Sequence, residues 1–127
     1  MSLAELHSEL DHGVGIAHLS GEIDASNRNE ILGQLLGMLR NADWGLVLDL
    51  TDLRYLDSAG IELIVRLRQR LSSRQQHLRV AAPPGRFVAE VLETVRLKEI
   101  VPVDATVEEA VDAVRERGSE RREAPPR

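Results

Sequence analysis

Asp57 and Ser58 place a carboxylate beside a hydroxyl where a buried strand and a short polar loop lead into a predicted helix. The first turn of a helix has unpaired N–H groups and the positive end of the helix dipole, so it stabilises an anion. A phosphate on Ser58 would add roughly −1.5 to −2 charges at a place that tolerates them. Ser58 is therefore a candidate phosphorylation site. Local physics alone favours a plainer role, because aspartate and serine are both common helix N-caps.

Hydrolytic and metal chemistry fit the histidines and this serine less well. A serine hydrolase carries its nucleophile in a Gly-x-Ser-x-Gly turn, and the segment around Ser58 departs from that pattern. His7, His12 and His18 lack the spacing that brings several ligands to one metal ion. His18 lies inside a predicted strand and is interpreted as a structural histidine. We therefore assign no catalytic residue and expect no enzymatic activity.

A magnesium site of the kind found in phosphoryl-acceptor domains could be formed by Asp49, Asp52 and Asp57. Asp49, however, ends the buried strand and is expected to hydrogen-bond backbone. Such acceptors also need an acidic pair after the first strand and a later lysine, and the only lysine is Lys98. The chain has no glycine-rich phosphate loop either. The sequence thus predicts neither a metal site nor a bound cofactor.

Composition limits the remaining classes. The 127 residues make one ordinary domain, and the absence of cysteine excludes disulfides and thiolate metal sites. A net charge of −5 and an aromatic content of 2% argue against nucleic-acid binding. No apolar run approaches the roughly 20 residues that cross a bilayer, and residues 1–10 lack the layout of a signal peptide. We expect a cytoplasmic protein that makes no membrane contact.

Apolar periodicity and turn residues predict an α/β domain in the order β-β-α-β-α-β-α-β-α. About five strands, in a mixed but mostly parallel sheet, pack against about four helices. The strands are expected near residues 3–10, 14–19, 46–50, 78–82 and 100–103, and the helices near 25–40, 59–73, 86–95 and 106–118. Residues 1–117 form the domain, and 118–127 are expected to be a disordered polar tail.

The loops complete this prediction. The first two strands form a hairpin, and residues 21–24 leave the sheet, where Asp24 or Ser26 can cap the first helix. Gly118 ends the last helix, which begins with a capping box from Thr106 to Glu109.

Residues 55–61, Tyr-Leu-Asp-Ser-Ala-Gly-Ile, resemble the signature of the STAS domain family, the anti-sigma-factor antagonists of bacteria. Gly-Glu-Ile-Asp at 21–24 resembles the segment that follows the second strand in that family. Val-Leu-Asp-Leu-Thr-Asp-Leu at 47–53 resembles the strand and loop that precede its Asp-Ser. The order of elements agrees as well, over roughly residues 3–116. Three short matches in the right order and at the right separations make the resemblance fairly specific.

The resemblance implies a partner-switching role. Members bind an anti-sigma factor that is also a serine kinase, and this frees the sigma factor for transcription. The kinase phosphorylates the serine of Asp-Ser, the complex is lost, and a phosphatase restores it. Carried over, Ser58 is the phospho-acceptor, Asp57 is the acidic residue before it, and Asp24 is the acidic residue of the earlier loop on the same face. We expect a monomer or weak dimer.

Two positions depart from the family pattern. Ala59 stands where many members have a second serine or threonine, so Ser58 is the only hydroxyl in its motif. Glu62 stands where small residues often occur, and it puts a negative charge one turn into the helix near the proposed phosphate. The predicted partner-binding residues are Asp24, Asp57, Ser58, Ala59, Gly60 and Glu62.

Other interpretations remain open. A STAS subunit could instead have a structural role in a stress-sensing assembly or a lipid-transport complex, and a nucleotide-binding or hydrolysing domain is a further class. Arginines of the second predicted helix are the main basic feature. They form either a solvated face or a surface that docks an acidic partner: Arg66, Arg68, Arg70 and Arg74.

Overall fold

The computed structural model describes residues 3–123. The elements follow the predicted order, with one added 3-10 turn at Leu97–Glu99. The strands are β1 (Ala4–Asp11), β2 (Val14–Ile23), β3 (Gly45–Leu56), β4 (His77–Ala81) and β5 (Val103–Asp104). The helices are α1 (Arg28–Leu36), α2 (Ser58–Ser73), α3 (Phe87–Thr94) and α4 (Val107–Glu123).

The five strands form one sheet in the order β1-β2-β3-β4-β5. β1 and β2 are an antiparallel hairpin closed by His12 and Gly13, both with positive φ. Every later neighbouring pair, from β2–β3 to β4–β5, is parallel. The predicted α/β class, the mixed and mostly parallel sheet, and the four helices are confirmed.

Both faces of the central strand are covered. Leu46, Leu48 and Leu50 of β3 belong to the larger core, which includes residues of α1, α2 and α3. Val47, one residue out of phase, packs in a second cluster with α4. Successive side chains of a strand point to opposite faces, so α1–α3 lie on one face of the sheet and α4 lies on the other. The apolar run on both faces of β3 is the pattern that predicted a buried strand.

β3 is longer than predicted, because it runs to Leu56 instead of ending near residue 50. Its buried residues Leu50, Leu53 and Leu56 are three apart, since two register shifts interrupt its pairing with β2. That spacing hides the alternation by which a strand is recognised. β2 likewise stays in the sheet to Ile23, and Gly21, with φ +89°, lies at the second shift.

α1 is shorter than predicted. The carboxylate of Asp24 accepts hydrogen bonds from the N–H and hydroxyl of Ser26, at 2.8 and 2.5 Å, and holds the chain in a turn before the helix. Asn27 therefore occupies the N-cap, rather than Asp24 or Ser26, and its side chain makes no capping bond. Gly37 follows as the C-cap.

α4 continues through Gly118 to Glu123, so the prediction that this glycine ends the helix is wrong. A Cβ at Gly118 would lie 2.5 Å from the ring of Trp44, which shows that the glycine permits close packing. The helix start is as predicted, with the Glu109 N–H donating to Thr106 Oγ1 at 3.2 Å. The predicted tail overlaps α4 up to Glu123, and residues 124–127 lie outside the described part of the chain.

β5 is only two residues long and begins later than predicted, because the 3-10 turn occupies the chain just before it. It does lie at the edge of the sheet, as the proline in this segment predicted. Among the helices described, none combines the length and apolar character needed to cross a membrane.

Candidate functional site

The candidate site lies at the edge of the sheet where β2 and β3 end. These strands are parallel, and Ile23 pairs with Leu56. The next residues, Asp24 and Asp57, therefore begin two neighbouring loops at one edge, and α1 and α2 start from those loops. This placement puts the two acidic residues, which the family resemblance assigned to one face, at the same edge of the sheet, where α/β sheets carry their sites.

Asp57 is the N-cap of α2. Its backbone is extended, with φ −118° and ψ −161°, and its Oδ1 accepts a hydrogen bond from the N–H of Ala59 at 2.9 Å. Ser58 is the first residue of the helix and is exposed. Capping therefore falls to Asp57. The hydroxyl of Ser58 is left at the positive end of the dipole of a 16-residue helix.

Ala59 and Gly60 seat the first turn of α2 against the sheet. Ala59 is 7% exposed, and Gly60 is buried. A Cβ at Gly60 would lie 2.8 Å from the Cβ of Leu56, the last residue of β3, so only glycine allows the helix to begin this close to the strand. Both residues shape the site from beneath and offer a partner little side-chain surface.

The loop that carries Asp24 is held by its own hydrogen bonds. The N–H of Asp24 donates to Asn27 Oδ1 at 3.1 Å, and Asn27 Nδ2 donates to the carbonyl of Glu22 at 2.9 Å. The pKa of Asp24 lies below its ordinary value, chiefly because the Ser26 hydroxyl donates to the carboxylate. Asn27 is 2% exposed. Sequence reasoning missed Asn27, because a single buried asparagine in a polar stretch produces no periodic signal.

Glu62 forms two ion pairs one turn into α2. Its Oε2 lies 2.6 Å from Nη1 of Arg28, and its Oε1 lies 2.7 Å from Nη2 of Arg66. The like charge that the sequence placed near Ser58 is thus countered by two arginines. Arg66 could have been expected, since residues four apart on a helix are neighbours. Arg28 could not, because it is 34 residues away in the chain.

An exposed aromatic pair extends the same edge towards α3. The rings of Tyr55 and Phe87 are stacked, with centroids 6.0 Å apart and planes at 8°. Tyr55 is 38% exposed and Phe87 is 53% exposed. Arg86, the N-cap of α3, donates from Nη1 to the carbonyl of Thr51 at 2.7 Å and ties α3 to β3. This pair joins two distant segments, so no local pattern indicated it.

The ring of His18 lies between the carboxylates of Asp49 and Glu9. Nδ1 of His18 is 2.5 Å from Oδ2 of Asp49, and its Nε2 is 2.8 Å from Oε1 of Glu9. Oδ1 of Asp49 accepts from the N–H and hydroxyl of Thr51 at 2.9 and 2.5 Å. These bonds agree with the predicted structural role of His18 and with the predicted backbone bond of Asp49. Within residues 3–123, no group of three or more histidine or acidic side chains is placed to hold a metal ion.

Comparison with protein families gives one match. The model described as the STAS domain matches residues 6–110, which is most of the chain. No curated protein matches the sequence.

Several solved structures share the fold. An anti-sigma factor antagonist from Mycobacterium paratuberculosis is 22% identical with a TM-score of 0.78, over 88% of this chain and 94% of that one. A putative anti-sigma factor antagonist from Thermotoga maritima is 24% identical with a TM-score of 0.73, over 87% of this chain and 94% of that one. The antagonist SpoIIAA in its unphosphorylated form is 22% identical with a TM-score of 0.70, over 87% and 96%. At these identities the likeness shows the fold alone.

Proposed function

The chain belongs to the STAS domain family, and from that premise we propose that it is an anti-sigma-factor antagonist that phosphorylation of Ser58 switches off. It binds an anti-sigma factor that is also a serine kinase, and this binding releases the sigma factor for transcription. The observation that carries the proposal is the start of α2. Asp57 caps the helix there and leaves the exposed Ser58 free of that task.

The covalent step needs only a hydroxyl from this chain. The Oγ of Ser58 attacks the γ-phosphorus of ATP bound to the kinase, and the bond from that phosphorus to the bridging oxygen breaks. ADP leaves with that oxygen, and the serine proton passes to a base of the kinase. A phosphatase reverses the state by transferring the phosphoryl group to water. The chain acts by binding and not by catalysis, and it uses no cofactor.

The position of Ser58 explains why phosphate changes binding without unfolding the domain. The helix N-terminus accommodates the added negative charge. The same edge already carries the carboxylates of Asp24 and Asp57. A partner that docks there has a surface whose charge complements these two groups. Adding a phosphate puts uncompensated charge into the interface, and such a mismatch weakens association.

The proposed partners are the anti-sigma factor kinase and a phosphatase that acts on phosphorylated Ser58. The protein is proposed to work in the cytoplasm as a monomer or weak dimer, away from nucleic acid and membrane. Size-exclusion chromatography with light scattering separates this role from that of a structural subunit. A mass near that of one or two chains supports the switch, and a large assembly of this chain alone would favour scaffolding.

Calorimetry of the chain with its cognate kinase, identified as a small ATPase-kinase encoded beside it, tests the proposal. Ser58→Asp should weaken binding about fivefold or more, which corresponds to about 1 kcal/mol. Ser58→Ala should bind as the unmodified chain does. Ser73→Asp is the matched control, because it adds the same charge to the far end of α2. Equal affinity of Ser58→Asp and the unmodified chain would refute the switch.

A further inference from the structure

The two ion pairs of Glu62 differ in how well they are shielded from water. Arg66 lies on the same helix, and its side chain is 51% exposed. Arg28 reaches across from α1, and its side chain is only 23% exposed. Salt and water screen exposed pairs more strongly than partly buried ones. The Arg28–Glu62 pair, which joins α1 to α2, is therefore the stronger of the two.

Arg28 also has a donor to spare. Its Nη1 binds Glu62, but its Nε is buried and has no hydrogen-bond partner among the residues that the structure describes. A guanidinium presents five N–H donors in a fixed fork. A buried donor without an acceptor is unfavourable, so an additional acceptor close to Arg28 would be stabilised.

Ser58 and this arginine lie at the same edge of the sheet. Arg28 is the first residue of α1 and Ser58 is the first residue of α2, and both helices rise from the ends of the paired strands β2 and β3. Ser58 and Glu62 are four residues apart, so they are neighbours on one face of α2. Helical side chains lean towards the N-terminus, which carries the Glu62 carboxylate over the turn that begins at Ser58.

We propose that Arg28 is the internal receptor for the phosphate of Ser58, and that the phosphate displaces Glu62 from it. The inference rests on the proposed function. A phosphate carries more charge than a carboxylate, offers three acceptor oxygens and binds a guanidinium through two hydrogen bonds at once. The unpaired Nε and its neighbour Nη2 form such a pair of donors on one edge of the guanidinium, and Nη1 lies on the other edge. Turning the Nε edge towards the phosphate takes Nη1 away from Glu62.

The exchange changes more of the surface than the phosphate alone. Glu62 is repelled by the new charge, gives up Arg28 and keeps Arg66, its other partner. Arg28 then holds the phosphate in place of Glu62. The phosphorylated form thus presents a rearranged set of charges, in which Arg28 is paired with the phosphate and Glu62 is paired with Arg66 alone.

A phosphorus NMR titration tests this exchange. Phosphoserine is incorporated at position 58 during translation, and the acid dissociation constant of the second phosphate proton is measured. In the otherwise unmodified chain this constant should be about threefold or more larger than in Arg28→Gln, because a nearby cation favours the dianion. Arg28→Lys should lie between them, since it keeps the charge and loses the fork. Glu62→Gln should raise the constant further, because it removes the competing carboxylate.

Arg68→Gln is the matched control, since it removes the same charge from an exposed position ten residues beyond Ser58 on α2. It should titrate as the unmodified chain does. Coincident titrations of the unmodified chain, Arg28→Lys and Arg28→Gln would overturn the proposal, and so would an equal effect of Arg68→Gln. Circular dichroism checks that each variant is folded. If Arg28→Gln does not fold, the comparison of the unmodified chain with Arg28→Lys and Glu62→Gln still decides the test. No kinase takes part, so this result is independent of whether the proposed function holds.

Discussion

The carboxylate of Asp57 accepts a hydrogen bond from the N–H of Ala59 at 2.9 Å. The residue before the proposed phospho-acceptor therefore caps α2, and the acceptor itself does not. Capping and phosphorylation are thus assigned to different residues, so the stability of the helix does not depend on the hydroxyl of Ser58. If the hydroxyl were the cap, its modification would alter that hydrogen bond.

Because Asp57 and not Ser58 caps α2, substitutions at the two positions should change the free energy of unfolding by different amounts. Asp57→Ala removes the cap and should lower the free energy of unfolding by about 1 kcal/mol, within a usual range of roughly 0.5–2 kcal/mol. Ser58→Ala should change it by less than about 0.5 kcal/mol, as expected for an exposed residue with no capping role. Urea denaturation measures both. A loss at Ser58→Ala as large as that at Asp57→Ala would show that Ser58 shares the capping.

Two glycines in helices should respond to alanine with opposite signs. A Cβ at Gly60 would lie 2.8 Å from Leu56, whereas a Cβ at Gly33 in α1 would meet nothing within 4 Å. Alanine is favoured over glycine in helices by about 1 kcal/mol. Gly33→Ala should therefore stabilise the protein by about 0.5–1 kcal/mol.

Gly60→Ala should instead destabilise it, because the start of α2 must move away from β3. This shift should also reduce kinase binding, since it displaces Ser58. Thermal or urea unfolding of the two variants gives the comparison. If Gly60→Ala were as stable as Gly33→Ala, the result would contradict the close packing of the start of α2 against Leu56.

The network around His18 predicts a pH dependence. Burial alone lowers the pKa of His18, but the hydrogen bonds with Asp49 and Glu9 outweigh it and raise the pKa above its ordinary value. A histidine whose pKa is raised on folding stabilises the protein fully below its unfolded pKa of about 6.5, and the contribution is lost as the pH rises through the folded pKa. The advantage of the unmodified chain over His18→Gln should therefore shrink as the pH rises above about 6.5.

Urea denaturation of the two proteins at a series of pH values measures this advantage. An advantage over His18→Gln that stays level or grows with pH would contradict the proposed sign.

Much of the fold could be predicted because its signals are local. Neighbouring residues alone identify several elements. These signals are the apolar run of β3, the helical spacing of Leu63, Leu67 and Leu71, and the Asp57-Ser58 pair at the start of α2. The parallel order then places Asp24 and Asp57 at one edge. The extension of β3 was missed, because its register shifts hide the alternation of buried residues.

The charge arrangement of the site could be predicted only in part. The Glu62–Arg66 pair follows from helical spacing, but Arg28 and Phe87 reach the site through tertiary packing between segments that are distant in the chain. Gly118 was misjudged for a similar reason. A glycine at a helix end and a glycine packed against Trp44 look alike until the neighbouring element is known.

Site mapping of the phosphorylated chain tests the central claim most directly. The chain is incubated with its cognate kinase and ATP, and the modified peptide is identified by mass spectrometry, with Ser58→Ala as the control. The account predicts one phosphate on the unmodified chain, located on Ser58, and none on Ser58→Ala. Phosphate on another residue such as Ser119, or none on the unmodified chain, would contradict it.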